Sequence, residues 1–272
     1  MEISNEGIDE LAEQIIVKYS ASIPINPLEI AEKANIEVIE GSRKDYPFKG
    51  LIRRQGGKFY IILNMHLLNN INYSICRYTL SHELGHYFLS HHRKKLSKGE
   101  SIAFTGKDSK NPIKKQLEDQ AQQFAASLLM PKSQFIKRYK EIENIGFDAI
   151  IDLKRYFNVS ITSAFIRFTH LNLEPTMSIL WNDNDGIINK SVSKSFQELI
   201  DSETIGIKLN KNRPKLEEER IENLQTGIRY FRHITPLSSW VFNIDKDLAN
   251  STFVIEETFY CNLWNLTLIK PA

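Results

Sequence analysis

The chain has 272 residues, 42% hydrophobic and 25% charged, the balance of an ordinary globular protein with room for one large domain or two small ones. A net charge of +2 argues against a polyanion partner for the chain as a whole, and Cys76 and Cys261, its only cysteines, are too few for a disulfide framework. Residues 1–6 lack the basic and apolar regions of a signal peptide, no run approaches the roughly 18 apolar residues of a membrane span, and a reducing compartment fits.

Ile8, Leu11, Ile15 and Tyr19 recur at helical spacing and predict a first helix over residues 5–20. Ser20-Ala21-Ser22-Ile23-Pro24 breaks it. Asn26 followed by Pro27 reads as a cap and first-turn proline, opening a short helix with Leu28, Ala31 and Ala34 inward. Ile36-Glu37-Val38-Ile39 reads as a strand. Residues 48–54 and 58–63 flank Gln55-Gly56-Gly57, whose glycines tolerate the positive φ of a hairpin turn. The second arm, Phe59-Tyr60-Ile61-Ile62-Leu63, is apolar throughout and is predicted to be central or covered on both faces. Asn69, Asn70 and Asn72 mark a loop and cap before a helix over residues 73–90.

That helix carries Ser81-His82-Glu83-Leu84-Gly85-His86. Read as H-E-x-x-H, it stacks two imidazoles on one helical face, about one turn apart, where they can share a tetrahedral Zn²⁺. Glu83 points about 100° round the helix, away from that coordination set but within reach of a water at the ion, as a general base requires. The bland alternative is a chance match on a surface helix. Against it, Ile75, Thr79, His82, His86 and Leu89 form one stripe beside a second stripe of Leu80, Leu84 and Phe88, so the histidines border a core-facing surface.

Residues 91–112 read as a long polar connection, with Arg93, Lys94, Lys95, Lys98, Lys107 and Lys110 against Glu100 and Asp108. It is either a solvated excursion or a basic rim on a cleft. Asn111-Pro112 repeats the cap-and-proline start, and a helix over residues 113–129 buries Leu117, Ala121, Phe124, Ala125 and Leu128 before Pro131. Glu118 lies at the border of that stripe. A catalytic zinc site with two histidines needs a third protein ligand, but on spacing alone Glu118 reads first as a solvated helix carboxylate.

The stretches Arg77-Tyr78-Thr79-Leu80-Ser81-His82-Glu83-Leu84-Gly85-His86 and Leu117-Glu118-Asp119-Gln120-Ala121-Gln122-Gln123-Phe124-Ala125-Ala126-Ser127-Leu128-Leu129-Met130-Pro131, with the segment over residues 27–38, resemble the ImmA/IrrE metallopeptidases across roughly residues 8–172. The resemblance implies an α+β fold: a gluzincin-like zinc peptidase domain of small sheet and H-E-x-x-H helix over residues 1–135, a helical, helix-turn-helix-like appendage over 136–174, and a C-terminal α+β sensor-like module over 175–272. It implies Zn²⁺ held by His82, His86 and Glu118, with Glu83 as catalytic base. Relatives often show a second Glu and an Asn where this chain has Gln120 and Gln122, which leaves Asp119 as a rival ligand and His91 and His92 as fallbacks. It also implies a cytoplasmic protein whose partner and substrate is a helix-turn-helix repressor, cleaved to induce stress, phage or mobile-element genes.

Phe147, Ile150, Ile151, Leu153 and Phe157 predict one helix of the appendage, and Ile161, Ala164, Phe165, Phe168 and Leu171 the next, turning at Asn158-Val159-Ser160. Lys154, Arg155 and Arg167 are few for direct nucleic-acid binding, so a helical pair packed on the peptidase is the preferred reading. After Glu174-Pro175 the periodicity changes to short strands: residues 177–181, 187–192, 230–233, 239–242, 252–255 and 259–268. A short helix is predicted at 195–201, a charged turn at 215–220, and Glu256-Glu257 as a break between the last two strands. His170 and His233 have no ligand spacing and read as structural. Tyr78 and Tyr87 are candidate acid or oxyanion donors by proximity alone. The two functional readings are therefore a zinc endopeptidase and a non-hydrolytic regulatory binder that holds a repressor, another protein or nucleic acid.

Overall fold

The structure, a computed structural model, describes residues 3–272 apart from 43, 45–47, 69–72, 100–110, 144–145, 183–185, 201–205, 210–220, 224–227 and 261–263. The expected caps at residues 69–72, the second half of the polar connection and the charged turn at 215–220 lie outside the described residues. The fold is α+β and divides into two compact units, Met1–Tyr139 with Leu153–Ser160, and Lys140–Asp152 with Ile161–Ala272. No helix among the described residues is long and apolar enough to cross a membrane.

The first unit opens with α1 (Asn5–Lys18), capped by the Ser4 side chain, and α2 (Pro27–Lys33), capped by Asn26. On α2 the inward residues are Pro27, Ile30 and Ala31, whereas Leu28 is 42% exposed; the buried stripe begins at the proline, so the expected inward Leu28 falls off it. Strands β1 (Glu37–Gly41), β2 (Gly50–Gln55) and β3 (Lys58–Asn64) form a sheet in the order β1-β3-β2. β3 is central, as its apolar run requires, parallel to β1 and antiparallel to β2 across a turn with Gly56 and Gly57 both at positive φ. Among the described residues this leaves β2 on an edge.

A short α3 (Met65–Leu68) precedes α4 (Tyr73–Phe88), which carries the histidine motif and packs on β2, β3 and α2. The next segment corrects the expectation of a loop: residues 90–97 form a helix, α5 (Ser90–Ser97), because His92 and Leu96, four apart, bury one face while Arg93 and Lys94 stay exposed. α6 (Pro112–Leu129) starts at the Asn111 cap, and Leu117, Ala121, Phe124, Ala125 and Leu128 pack it on α1 and α4. α7 (Lys132–Glu141), not foreseen from the sequence, follows Pro131. The buried Arg77 guanidinium of α4 donates to the backbone oxygens of Ile25, Phe157 and Asn158, which ties the returning segment at 153–160 to this helix.

The division between units falls within α8 (Phe147–Phe157). In the second unit α9 (Ile161–His170) packs on β4 (Met177–Asn182) and β5 (Gly186–Val192). Then come α10 (Lys194–Leu199), β6 (Gly206–Ile207), β7 (Ile221–Asn223), β8 (Ile228–Pro236), β9 (Val241–Phe242), α11 (Lys246–Ser251), β10 (Phe253–Tyr260) and β11 (Asn265–Pro271). Six strands make an antiparallel sheet in the order β5-β4-β11-β10-β8-β7, and one face of it builds a core around Ile179, Trp181, Phe196, Leu237, Trp240 and Ile269.

β10 corrects the expected break at Glu256-Glu257: one strand runs through both residues, which are 0% and 1% exposed. Buried carboxylates need partners, and both have them. Glu256 accepts from Trp240 Nε1 at 2.8 Å and lies 3.5 Å from His233 Nε2. Glu257 accepts from the Phe147 backbone at 3.0 Å and meets Lys270 Nζ at 3.2 Å and Arg232 Nε at 3.6 Å.

Candidate metal centre

The site is built where α4 and α6 cross. Gly85 lets them approach: a Cβ there would lie 3.1 Å from Phe124 Cδ1 and 3.2 Å from the Ala121 carbonyl oxygen. This close packing sets Glu118 of α6 opposite the histidine face of α4. His82 Nε2 and His86 Nε2 stand 3.2 Å apart, His82 Nε2 is 3.1 Å from Glu118 Oε2, and His86 Nε2 is 3.6 Å from Glu118 Oε1. Among the described residues these three form a group able to hold a metal ion. A tetrahedral divalent ion with bonds of about 2.05 Å keeps its ligand atoms about 3.3 Å apart, so the triangle already has the right size, and two imidazoles with one carboxylate are the right chemistry. Asp119 and the fallback His91 and His92 are not in the group.

Glu83 leaves α4 on another side. It is buried, and its carboxylate accepts a hydrogen bond from the backbone of Ile52 on β2. Gly50 makes room for it, since a Cβ at that position would lie 2.6 Å from Thr79 Cγ2 and 2.9 Å from Glu83 Oε1. His82, Glu83, His86 and Glu118 all line one cleft of about 530 Å³, together with residues 48–52 and Tyr78. Among the described residues Lys49 is the one lysine or arginine on that lining, and the lysines and arginine of α5 are not on it.

The electrostatics separate the two carboxylates. Burial pushes Glu83 above the usual carboxylate range, against the pull of His82 and His86. Glu118 is pushed up by burial too, but hydrogen bonds to both histidines hold it at about 2. Burial draws His82 down, and the Glu118 hydrogen bond with the charges of Glu83 and Glu118 more than reverses this, leaving it raised. One carboxylate is thus suited to take a proton and the other to remain an anion beside a cation. Burial and the charge of Glu118 push Tyr78 to about 12, which keeps its phenol a donor. Tyr87, the other tyrosine candidate, is not on the cleft; it packs edge-on to Phe59 at 5.0 Å with Arg93 over its ring.

Sequence reading missed Gly50 and the Ile52 backbone, and it took His92 for a fallback ligand and gave Gln120 no role. Gly50 and the Ile52 backbone carry no local signal, because only the folded hairpin brings β2 to α4. His92 and Gln120 stand behind His86, with His86 Nδ1 2.9 Å from His92 Nδ1 and His92 Nε2 3.1 Å from Gln120 Oε1. Burial and the neighbouring His86 lower His92 to about 3, so its ring is neutral.

No curated protein matches the chain in sequence. A solved structure titled Mycobacterium tuberculosis transcriptional regulator superposes with a TM-score of 0.56 at 12% identity, covering 98% of this chain and 76% of its own; at that identity the likeness concerns the fold. Residues 76–169, which span the histidine motif, Glu118 and the helices α8 and α9, match the Peptidase_M78 family model, described as IrrE N-terminal-like domain. The match covers about a third of the chain, and over it residues 76–169 are similar to an IrrE N-terminal-like domain, a metallopeptidase-type family.

Proposed function

We propose that the chain is a zinc-dependent endopeptidase whose substrate is a helix-turn-helix repressor. The observation that carries the peptidase reading is the convergence of His82, His86 and Glu118 beside a separate, buried Glu83 on one cleft. His82 and His86 would hold the ion through Nε2, and Glu118 through its carboxylate. A zinc ion held there would supply Lewis acidity toward a carbonyl and lower the pKa of water toward about 7. Glu83 takes the proton of the attacking water and passes it to the leaving amine nitrogen; its raised affinity for a proton suits both transfers. The Tyr78 phenol, kept protonated, donates a hydrogen bond to the developing oxyanion. The substrate lies extended along β2, an edge strand whose residues 50–52 line the cleft and can add a peptide as a further strand.

The repressor as substrate rests on the family match over residues 76–169. The test is incubation of the purified, zinc-loaded chain with any helix-turn-helix repressor found encoded beside it, read by mass spectrometry, next to Glu83→Gln. Discrete fragments with the wild type and none with Glu83→Gln are expected. An intact repressor that co-purifies with the zinc-loaded chain would favour the non-hydrolytic binder instead.

A further inference from the structure

α5 begins two residues after α4 ends and turns His92 back beneath the metal-facing helix. His92 is 0% exposed, a burial that leucine would satisfy as well, yet both its ring nitrogens are engaged. Nδ1 faces His86 Nδ1 at 2.9 Å, and Nε2 faces Gln120 Oε1 at 3.1 Å. The same Gln120 oxygen receives His91 Nε2 at 2.8 Å. Gln120 is itself buried, on α6, two residues past Glu118.

Proton counting along this chain gives one consistent direction. The Gln120 carbonyl oxygen has two lone pairs and accepts from both rings, so His92 carries its proton on Nε2. Its Nδ1 is then bare and accepts. The donor facing it is His86 Nδ1–H, which leaves the lone pair of His86 on Nε2, the atom turned toward His82 and Glu118. The opposite direction, with the Gln120 amide donating, would place a proton on His86 Nε2 and set it against a metal.

Resting on the metal-site reading above, we infer that Gln120 and His92 form a buried relay of positioning residues that fixes the tautomer and ring orientation of His86 and so tunes the affinity of the site for its ion. A ligating histidine held through its second nitrogen is a better and more rigid ligand, and loss of such a partner typically weakens metal binding about 10–100-fold. Asparagine places an oxygen near the position of the histidine Nδ1, so His92→Asn keeps an acceptor for His86, whereas His92→Leu removes it at similar volume.

The experiment measures zinc affinity by competition with a chromophoric chelator for the full chain, His92→Leu, His92→Asn and Gln120→Leu, and reads histidine tautomers of the zinc-loaded wild type by long-range proton–nitrogen NMR. Expected are a loss of about 10–100-fold for His92→Leu, a smaller loss for Gln120→Leu, substantial rescue in His92→Asn, and a wild-type His92 protonated on Nε2 with Nδ1 bare. Affinities of His92→Leu and Gln120→Leu indistinguishable from wild type, while the wild type binds zinc, would overturn the relay and leave the site standing. A wild type that takes up no zinc overturns both. The wild-type spectrum needs no variant to fold: His92 protonated on Nδ1 overturns the relay by itself.

Discussion

Replacing Gly50 by alanine adds one carbon at the closest approach of β2 to the proposed base. That carbon would lie 2.6 Å from Thr79 Cγ2 and 2.9 Å from Glu83 Oε1, and these neighbours are only 7% and 6% exposed, so neither can swing into solvent. Reaching the 3.4 Å at which contact becomes ordinary requires about 0.8 Å of separation from Thr79. Overpacking of this size costs about 1–3 kcal/mol, and a stiffer unfolded chain returns about 0.4–1 kcal/mol, so the fold should survive with a loss of about 1–2 kcal/mol. Glu83 will be displaced by a few tenths of an ångström to about 1 Å, and a misplacement near the upper end lowers turnover about 10²-fold. The three atoms nearest that carbon belong to Thr79 and Glu83, not to His82, His86 or Glu118, so zinc affinity should stay at the wild-type value. The assays are chelator competition for zinc and hydrolysis of a peptide spanning a cut site mapped in the proposed repressor cleavage. Wild-type turnover in a folded Gly50→Ala protein, or loss of zinc in step with activity, would refute the assignment of Gly50 as the residue that seats Glu83.

The remaining predictions separate ligand, base and scaffold. His82→Ala and His86→Ala should abolish zinc uptake and Glu118→Gln should weaken it, while Glu83→Gln should keep zinc and lose turnover; metal analysis beside kinetics checks this, and the reverse pattern for the two glutamates would show their roles exchanged. Zinc affinity should be full above the raised pKa of His82 and should weaken as pH falls through it, because the proton and the ion compete for one lone pair, whereas Glu118, held at about 2, stays anionic and adds no slope above about pH 4; a flat affinity profile from pH 8 to 5, a range that brackets the ordinary histidine pKa, would count against it. Arg77→Leu should cost about 3 kcal/mol in urea unfolding, since the backbone oxygens of Ile25, Phe157 and Asn158 lose a charged donor. Glu257→Leu should destabilise the second unit by about 3 kcal/mol or more, because Lys270, 7% exposed, loses its carboxylate; an unchanged transition there would show that solvent reaches the cation.

Local signals were legible wherever the deciding physics lay within a few residues. The Asn26-Pro27 and Asn111-Pro112 caps, the Gly56-Gly57 turn and the central β3 all follow from short-range rules. The same rules failed at residues 90–97, where a basic composition hid the buried pair His92 and Leu96, and at Glu256-Glu257, where two acidic residues read as a break. In both places a partner distant in sequence decides: Gln120 for His92, and Trp240, Phe147 and Lys270 for the two glutamates.

By itself the sequence determined that His82 and His86 share a helical face, because a spacing of four matches the helical period, and that Glu83 leaves that face. Only the tertiary structure decided what surrounds them. Glu118 lies 36 residues beyond His82, and its place beside both histidines depends on the contact of α4 with α6 at Gly85. The seating of Glu83 depends on the hairpin bringing Gly50 and Ile52 to α4, and the hold on His86 depends on α5 turning back beneath it. The physical reason is one of range: helical periodicity acts over a single turn and is written in adjacent residues, whereas the placing of three separate elements around one small site is set by the packing of buried side chains from all of them.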